Sequence, residues 1–383
     1  MKKLFIIGAG EMQVPIIKKA KEMGVFCIVS DFDPKAPGFE LADLKLNIST
    51  LDFENTLTAA IQFKADGILT TSDYPVRTVA YVCEKIGLKG LSRYSAEACT
   101  NKYLQRTSVS ASGIHMPKCY SLSSAEEINN YLNDLVFPLI VKPIDSSASR
   151  GVSKAINKEE FFTAFHHALN YSVEKKVIVE EFVEGPEYSV ESLTQNGETH
   201  TIAITQKSTH GSDNRYFVES RHIVPADITA TQEGEIQLYA KKVIEALKID
   251  NCATHLEIKL SSKGPVMIEI GARLGGDYIT SDLVPLATGV DMLKNVIKIA
   301  LNEKIDVRKK KSQFSGIEFV TSENYNDAKR FILENKMSVI KYDLKPYKEN
   351  PVTNSLDRLG YIIVTSDNRE SLVQQLALNS VIK

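Results

Sequence analysis

The chain has 383 residues, enough for two or three domains that each bury a hydrophobic core. Its 46 basic and 48 acidic residues leave a net charge of −2, which argues against a nucleic-acid partner and against an anionic membrane surface. No apolar run reaches transmembrane length, and the N-terminal run at 4–9 is too short for a secretory signal. The five cysteines show no CxxC spacing, so the sequence predicts free thiols and a cytoplasmic protein.

The first 95 residues alternate the patterns of strands and helices. Predicted strands lie at 4–7, 25–30 and 67–70, and predicted helices lie at 14–23, 55–65 and 76–86. Repeated β-α-β units of this kind indicate a parallel, doubly wound sheet with right-handed connections.

The turn Gly8-Ala9-Gly10 after the first strand suggests dinucleotide binding, with Asp31 where a ribose-binding acid would lie. The third position of that fingerprint is Gln13 rather than glycine, which weakens the packing of helix on strand beside a pyrophosphate. A nicotinamide-dependent oxidoreductase built on residues 1–95 is therefore kept as an alternative. The helix N-terminus at 11–15 could instead hold a substrate carboxylate.

The middle of the chain predicts antiparallel strands, because a hairpin turn at Asn196-Gly197 separates two alternating runs. The other predicted elements here are a helix at 97–108, strands at 118–121 and 137–143, and a helix at 125–134 capped by Ser123 and Ser124.

Two polar segments are predicted as loops. Residues 145–152 follow Lys142, and their small side chains would let backbone amides approach phosphate oxygens; the alternative is a flexible surface hairpin. Residues 207–226 are predicted as a substrate-facing loop or a solvated lid, and their charged members are Lys207, His210, Arg215, Arg221 and His222.

After a predicted helix at 231–247, two apolar strands joined at Gly264-Pro265 each carry one acid, Glu257 and Glu269, and Arg273 follows the second. Carboxylates on apolar strands are costly unless a cation pairs with them. Two acids and an arginine suit Mg²⁺ holding a nucleotide's phosphates during phosphoryl transfer. The alternative is a buried Glu–Arg ion pair. His255 is predicted to be a packed, hydrogen-bonded histidine.

The basic segment 307–312 is a plausible boundary before a small C-terminal α/β cap. Within that cap the sequence predicts strands at 315–320 and 359–365 and helices at 324–335 and 369–377.

Taken in order, these pieces resemble the ATP-grasp superfamily over nearly the whole chain. The residues that carry the resemblance are Asn101-Lys102, Val141-Lys142-Pro143, Glu180-Glu181-Phe182-Val183, Gly185, Glu187, Leu256-Glu257, Ile268-Glu269 and Arg273. The resemblance implies an α/β fold with an N-terminal doubly wound parallel sheet, central antiparallel nucleotide-binding lobes and a small C-terminal cap. The implied domains are 1–100, 101–185 with the phosphate loop, 186–306 with the metal site, and 307–383.

The resemblance also implies a role for each site residue. Lys102 and Lys142 would contact the α- and β-phosphates, and Ser149 and Gly151 would lie in the loop that closes over them. The remaining implied contacts are Glu181, Phe182 and Val183 to adenine, Glu187 to ribose, Glu257 and Glu269 to Mg²⁺ or Mn²⁺, and Arg273 to the acyl-phosphate transition state.

Many members of the superfamily carry asparagine where this chain has Gly271, so a second metal would lose a side-chain ligand. The sequence around Gly271, and Glu219-Ser220-Arg221-His222, resemble the amino-acid (dipeptide) ligase branch. Glu219 and His222 are therefore candidates for recognising or deprotonating the amine. Gly275 and Gly276 are candidates for binding a substrate carboxylate.

The leading hypothesis is an ATP-dependent carboxylate–amine ligase that forms an amide from small molecules through an acylphosphate. Loops at 145–151 and 207–222 are expected to exclude water from that intermediate. The alternative within the same fold is a bicarbonate-activating carboxylase or a carbamoyl-phosphate-type enzyme. Beside this and the nicotinamide-dependent oxidoreductase, a third alternative is a non-catalytic nucleotide-binding module. A homodimer is the expected assembly.

Overall fold

The computed structural model describes residues 1–131, 133–146, 150–209, 218–335, 338–349, 352 and 354–377. Three sheets organise this part of the chain: a parallel sheet of four strands, an antiparallel sheet of four and an antiparallel sheet of eight. Across the same residues, no helix combines the length and apolarity needed to cross a bilayer.

The N-terminal sheet is parallel, as predicted, with the order β3-β2-β1-β4. Its strands are β1 (Lys3–Ile7), β2 (Phe26–Asp31), β3 (Leu44–Asn47) and β4 (Gly67–Thr70), and its helices are α1 (Val14–Glu22), α2 (Phe53–Phe63) and α3 (Val76–Ile86). Side chains from β1 enter separate apolar clusters on the two faces, which explains its uninterrupted apolar run. The short strand β3 was not predicted.

The predicted helix at 97–108 is two helices, α4 (Arg93–Thr100) and α5 (Lys102–Ala111). The break falls at Asn101, whose backbone is extended and whose side chain accepts a hydrogen bond from the Leu104 amide at 2.9 Å. This asparagine cap begins α5 afresh and places Lys102 in its first turn.

The second sheet has the order β5-β8-β6-β7 and is antiparallel, as predicted. It contains β5 (Cys119–Leu122), β6 (Leu139–Pro143), β7 (Ser153–Ala155) and β8 (Val177–Glu181), covered by α6 (Lys158–Asn170). The segment 144–152 joins the hairpin strands β6 and β7.

The predicted helix at 125–134 is wrong. The chain forms only a short 3-10 helix, Ala125–Asn130, and the Ser124 side chain makes no capping hydrogen bond. The Asn129 side chain donates to the Glu126 carbonyl at 2.9 Å, which takes an acceptor that an α-helix would use for its own ladder.

The large sheet has the order β13-β12-β9-β10-β11-β14-β16-β15. Its strands are β9 (Glu187–Gln195), β10 (Glu198–Thr209), β11 (Glu219–Val224), β12 (Cys252–Ser261), β13 (Gly264–Gly271), β14 (Phe314–Val320), β15 (Val339–Leu344) and β16 (Gly360–Ser366). The accompanying helices are α7 (Ala230–Ala246), α8 (Val284–Thr288), α9 (Met292–Ala300), α10 (Tyr325–Glu334) and α11 (Arg369–Leu376). Left-handed backbone at Asn196 and Gly197 forms the predicted turn between β9 and β10.

The prediction of one polar loop over 207–226 is wrong at both ends. Lys207 belongs to β10, whereas Arg221 and His222 belong to β11, and β11 pairs with β14. Lys207, Glu219 and His222 line a cavity, and Arg221 pairs with Glu318, so these strands have the polar composition of a solvated segment. His210 and Arg215 lie outside the described residues.

The strands of the predicted C-terminal cap continue the large sheet, since β14 pairs with β11 on one side and β16 on the other. Their helices α10 and α11 cover a separate apolar cluster. The division of the chain at residue 307 stays a prediction.

Candidate active site

One cavity of about 270 Å³ brings together most of the predicted site residues. Those that line it are Lys102, Lys142, Glu181, Phe182, Val183, Glu187, Glu219, His222, Glu257, Glu269, Arg273 and Gly276. Gly151 and Gly275 are not among its lining residues, and Ser149 lies outside the described residues.

Glu257 and Glu269 lie directly opposite each other on β12 and β13, as the predicted hairpin requires. Lys207 Nζ lies 2.6 Å from Glu257 Oε1, and Lys102 Nζ lies 2.8 Å from Glu269 Oε1. Burial disfavours ionisation of Glu257, but Lys207 and His255 outweigh it and hold the pKa of that carboxyl well below its usual range. Each acid therefore pairs with a lysine from outside the hairpin. Neither acid forms the Glu–Arg ion pair that was the alternative prediction for this stretch, as far as the described residues show.

This pair of acids fits a magnesium ion of the kind that a nucleotide carries. Two partly exposed carboxylates face the cavity, and Mg²⁺ in nucleotide sites commonly takes one or two carboxylates together with phosphate and water oxygens. Among the described residues, no group of three or more His, Cys, Asp or Glu side chains is arranged to hold a metal by itself. The remaining ligands would therefore come from the nucleotide and water.

Lys207 bridges three carboxylates. Besides Glu257, its ammonium lies 3.2 Å from Glu187 Oε1 and 3.2 Å from Glu219 Oε1. Burial alone would lower the pKa of Lys207, but the three acids outweigh it and raise that pKa well above its usual value. Burial raises the pKa of Glu187 despite the lysine. The sequence placed Lys207 only in a polar loop and missed this central position.

Lys142 is held by Glu180, the acid next to the predicted Glu181. The Glu180 carboxylate also accepts from Arg106, with Nε at 2.8 Å and Nη2 at 3.2 Å, and all three side chains are buried. Burial opposes ionisation of Glu180, but Arg106 and Lys142 outweigh it and lower its pKa to about 2. Burial also lowers the pKa of Lys142. Arg106 donates to the Ile268 carbonyl at 2.6 Å, which links α5 to β13, the strand that carries Glu269.

The predicted adenine contacts lie where β8 ends. The Phe182 amide already donates to the Pro138 carbonyl at 3.1 Å, so this N–H is engaged within the protein. Two ammonium groups lie close to the Phe182 ring, with Lys154 Nζ 3.9 Å and Lys259 Nζ 4.6 Å from the ring centroid. These cation–π contacts fix the edge of the cavity beside Glu181.

Arg273 pairs with Asp73, an acid after β4 that the sequence analysis missed. Arg273 Nε lies 2.7 Å from Asp73 Oδ1, and Nη2 lies 3.1 Å from Oδ2. Burial opposes the charge on Arg273, but Asp73 outweighs it and raises the pKa of the guanidinium. A Cβ atom at Gly271 would lie 3.1 Å from Asp73 Oδ1 and 3.4 Å from Arg273 Cζ, so the missing side chain leaves room for this pair.

A second group of charges lies at the Gly276 end of the cavity. Arg358 donates to Asp277 Oδ2 at 2.8 Å and to Glu219 Oε2 at 3.0 Å, and its guanidinium lies over the Phe319 ring. His222 is buried on β11, with Nε2 3.8 Å from Asp277 Oδ2. Burial opposes ionisation of Asp277, but His222 and Arg358 outweigh it and lower its pKa. The sequence identified Glu219 and His222 but neither Asp277 nor Arg358.

His255 is packed and hydrogen-bonded, as predicted. Its Nδ1 lies 2.8 Å from Glu191 Oε1, and its Nε2 lies 3.2 Å from Glu257 Oε1. Burial would lower the pKa of His255, but Glu191 and Glu257 outweigh it and raise that pKa to about 9. A histidine with this pKa carries a positive charge at neutral pH.

Gly275 and Gly276 provide a matched pair for a stability measurement. A Cβ at Gly275 would lie 2.7 Å from His255 Nδ1 and 2.8 Å from Glu191 Oε2, whereas a Cβ at Gly276 would contact nothing within 4 Å. We expect Gly275→Ala to lower the free energy of unfolding by about 1–3 kcal/mol through overpacking. Gly276→Ala should change it by less than about 0.5 kcal/mol. Urea unfolding of both variants checks this, and equal stabilities would contradict the steric argument.

At the N-terminal turn Gly8-Ala9-Gly10, neighbouring side chains of the same chain form hydrogen bonds with one another and with the backbone. Asp31 accepts from the amides of Ala9 at 2.7 Å and Asp33 at 3.0 Å. The Gln13 side chain packs against Gly8 and donates to the Thr71 and Ser72 hydroxyls, at 3.1 and 3.0 Å. The acid and the turn that a nicotinamide dinucleotide would need are thus engaged in local hydrogen bonds.

Comparisons with known proteins concern the family and the fold of the chain. Residues 135–282 match the model of the ATP-grasp domain, and the fold coincides over 99% of this chain with an L-amino acid ligase from Bacillus licheniformis. Residues 135–282 therefore form an ATP-grasp domain. The similarity to that structure has a TM-score of 0.83 at 21% identity and covers 97% of the other chain. The predictions of the superfamily and of the α/β fold are confirmed.

Two further ATP-grasp relatives concern activity and cofactors. The alanine–anticapsin ligase of Bacillus subtilis is 30% identical over 270 residues, which are 64% of this chain and 56% of the ligase. The biotin carboxylase domain dimer of the Hydrogenobacter thermophilus 2-oxoglutarate carboxylase was solved with MgADP, ADP and bicarbonate. It has a TM-score of 0.75 at 18% identity and covers 98% of this chain and 88% of that one. The name of the Bacillus subtilis relative agrees with the predicted ligase class, and the family match supports ATP and magnesium as cofactors.

Proposed function

We propose that this ATP-grasp chain is an ATP-dependent ligase that joins a small carboxylate to an amine through an acylphosphate. The observation that carries the proposal is the meeting of two lysines, two opposed carboxylates and an arginine in one cavity. Lys102 and Lys142 would bind phosphate oxygens, and Arg273 would stabilise the charge that develops during phosphoryl transfer. Glu181, the Phe182 carbonyl and the Val183 backbone would bind adenine, and Glu187 would bind the ribose hydroxyls.

Glu257 and Glu269 are the residues that would hold a Mg²⁺ or Mn²⁺ ion. When bound, the ion would neutralise charge on the nucleotide's phosphates. Lys207 pairs with Glu257 and Glu187, and its ammonium would keep one oxygen of Glu257 in place while the other oxygen holds the ion. Because position 271 is glycine, a second ion would have to rely on Glu269 as a bridge or on water.

In the proposed reaction, a substrate carboxylate oxygen attacks the γ-phosphorus of ATP, and the bond from that phosphorus to ADP breaks. The amine then attacks the acyl carbon, the bond to the phosphate oxygen breaks, and an amide and phosphate are formed. Glu219 and His222 would recognise the amine or accept its proton, and the Gly276 amide would bind a carboxylate. The bond between Arg273 and Asp73 would have to open for the guanidinium to reach the transferred phosphoryl group.

The test combines purified protein, ATP and Mg²⁺ with amino acids and small carboxylic acids, singly and in pairs. We expect ADP and phosphate in equal amounts, together with an amide of the expected mass by mass spectrometry. Hydroxylamine in place of the amine should trap the acylphosphate as a hydroxamate. Turnover that requires bicarbonate but no amine would instead support the carboxylase alternative, which the bicarbonate in the Hydrogenobacter structure makes worth testing.

The proposal includes small-molecule carboxylate and amine partners, a homodimer and a cytoplasmic location with the five cysteines reduced. All five are free thiols in the structure. Size-exclusion chromatography with light scattering tests the dimer.

A further inference from the structure

A fully buried acid lies on β9, the strand that pairs with the Glu257 strand β12. Glu191 on β9 has no exposed surface, and its Oε1 accepts from the Ser189 hydroxyl at 2.8 Å and faces His255 Nδ1 at 2.8 Å. Its other oxygen, Oε2, is buried and has no hydrogen-bond partner within the described part of the chain. A buried carboxylate with one unpartnered oxygen is costly, and an apolar residue of similar volume would normally serve stability as well or better. The stability of the fold therefore does not explain why Glu191 is an acid, and a functional role is the better explanation.

The three side chains Glu191, His255 and Glu257 form a row across two neighbouring strands. The register of β9 and β12 sets His255 opposite Glu191, and it sets Glu257 opposite Ser189. Each nitrogen of the imidazole faces a carboxylate oxygen, so each donates a hydrogen bond, one toward the buried acid and one toward the cavity. Both strands have partners on both sides within the sheet, which makes the row rigid.

The hydrogen bonds to Glu257 are unequally divided between its two oxygens. Oε1 receives both His255 Nε2 at 3.2 Å and Lys207 Nζ at 2.6 Å. Among the described residues, no donor to Oε2 is seen. Two donors therefore hold one oxygen of Glu257. Because Glu257 lines the cavity, its other oxygen would be the one to meet a cation bound with a nucleotide.

We propose that Glu191 and His255 are positioning residues that orient the Glu257 carboxylate for the metal-bound nucleotide. The inference rests on the proposed function, because it takes Glu257 as a metal ligand. Glu191 holds the ring by Nδ1, and the ring holds Glu257 Oε1 by Nε2. The bare backbone at Gly275 leaves room for both, since a methyl group there would lie within 2.8 Å of each.

Two substitutions at His255 separate positioning from simple packing. An asparagine amide can reach the place of Nδ1 and keep the bond to Glu191, whereas a glutamine amide can reach the place of Nε2 and keep the bond to Glu257. We expect His255→Asn to raise the Mg²⁺ concentration needed for half-maximal ADP binding by about 10–100-fold, as loss of a metal ligand's supporting hydrogen bond typically does. His255→Gln should change it by only a few-fold.

The measurement is calorimetric titration of ADP at graded Mg²⁺, which involves no turnover. ADP binding in EDTA serves as an internal reference and should be the same for both variants. Glu245→Gln is the control, since Glu245 lies on the exposed side of α7 and contacts none of these three side chains, and it should leave the Mg²⁺ requirement unchanged. If His255→Asn does not fold, Gly275→Ala displaces the same pair and should also raise the requirement.

Equal effects of the asparagine and glutamine variants, or no effect of either, would overturn the inference. Glu257→Gln distinguishes this result from failure of the proposed function. If Glu257→Gln abolishes the Mg²⁺ dependence of ADP binding while His255→Asn does not alter it, the metal assignment stands and the positioning role is wrong. If Glu257→Gln has no effect, the metal assignment itself is wrong.

Discussion

Replacing Glu269 with glutamine is expected to lower ATP-dependent phosphate release by about 10²–10³-fold. The substitution keeps the shape of the side chain but removes the negative charge that would bind the metal. The fold should survive, because Glu269 is partly exposed and its partner Lys102 keeps a hydrogen bond to the Ser146 carbonyl at 2.5 Å. Coupled measurement of ADP and phosphate, with far-ultraviolet circular dichroism as a check on folding, tests the expectation.

Glu245→Gln is the control for Glu269→Gln. Glu245 lies on the exposed side of α7, where its side chain is 62% exposed, and the same chemical change there should leave turnover unaltered. ADP release that stays at the wild-type rate in Glu269→Gln, with every substrate pair tried, would contradict the proposed mechanism.

Replacing Glu180 with glutamine is expected to lower the free energy of unfolding by about 3–5 kcal/mol. The variant leaves the buried guanidinium of Arg106 and the buried ammonium of Lys142 without the carboxylate that they share. Glu181→Gln is the matched control on the same strand. This carboxylate is partly exposed, and the one hydrogen bond that it accepts from the described residues is a long bond, 3.3 Å, from the Lys118 amide. It should change stability by less than about 0.5 kcal/mol.

The Glu180 prediction has a pH dependence of defined sign. The pKa of this acid falls from 4.5 to about 2 in the folded protein, so its charge stabilises the native state above pH 4.5. That contribution is lost as the pH falls through this range toward 2. The difference in unfolding free energy between wild type and Glu180→Gln should therefore shrink between these pH values in chemical denaturation. A difference that is constant with pH would show that the acid does not carry the charge assigned to it.

What the sequence could predict was local pattern and the order of motifs. The hairpin that opposes Glu257 and Glu269 follows from the turn at Gly264-Pro265 and the apolar runs on either side. The parallel N-terminal sheet follows from repeated β-α-β units. These features depend on neighbouring residues, so periodicity and turn chemistry suffice.

The ion pairs of the site could not be predicted from local sequence patterns. Asp73 and Arg273 are separated by 200 positions, Arg106 and Glu180 by 74, and Lys207 and Glu257 by 50. Which distant acid meets which cation is decided by the packing of sheets. A polar strand that lines a cavity also has the composition of a surface loop, which is why the sequence predicted one loop over the end of β10, from Lys207, and the whole of β11.

The pairing of Arg273 with Asp73 bears on how modular this enzyme is. Residues 135–282 match the ATP-grasp domain, yet Asp73 and Lys102 both lie outside that stretch. A fragment restricted to the matched residues would lack the ionic partners of Arg273 and Glu269. The proposed active site therefore includes residues that precede the matched stretch, and an exchange of ATP-grasp segments between enzymes would have to carry Asp73 and Lys102 along.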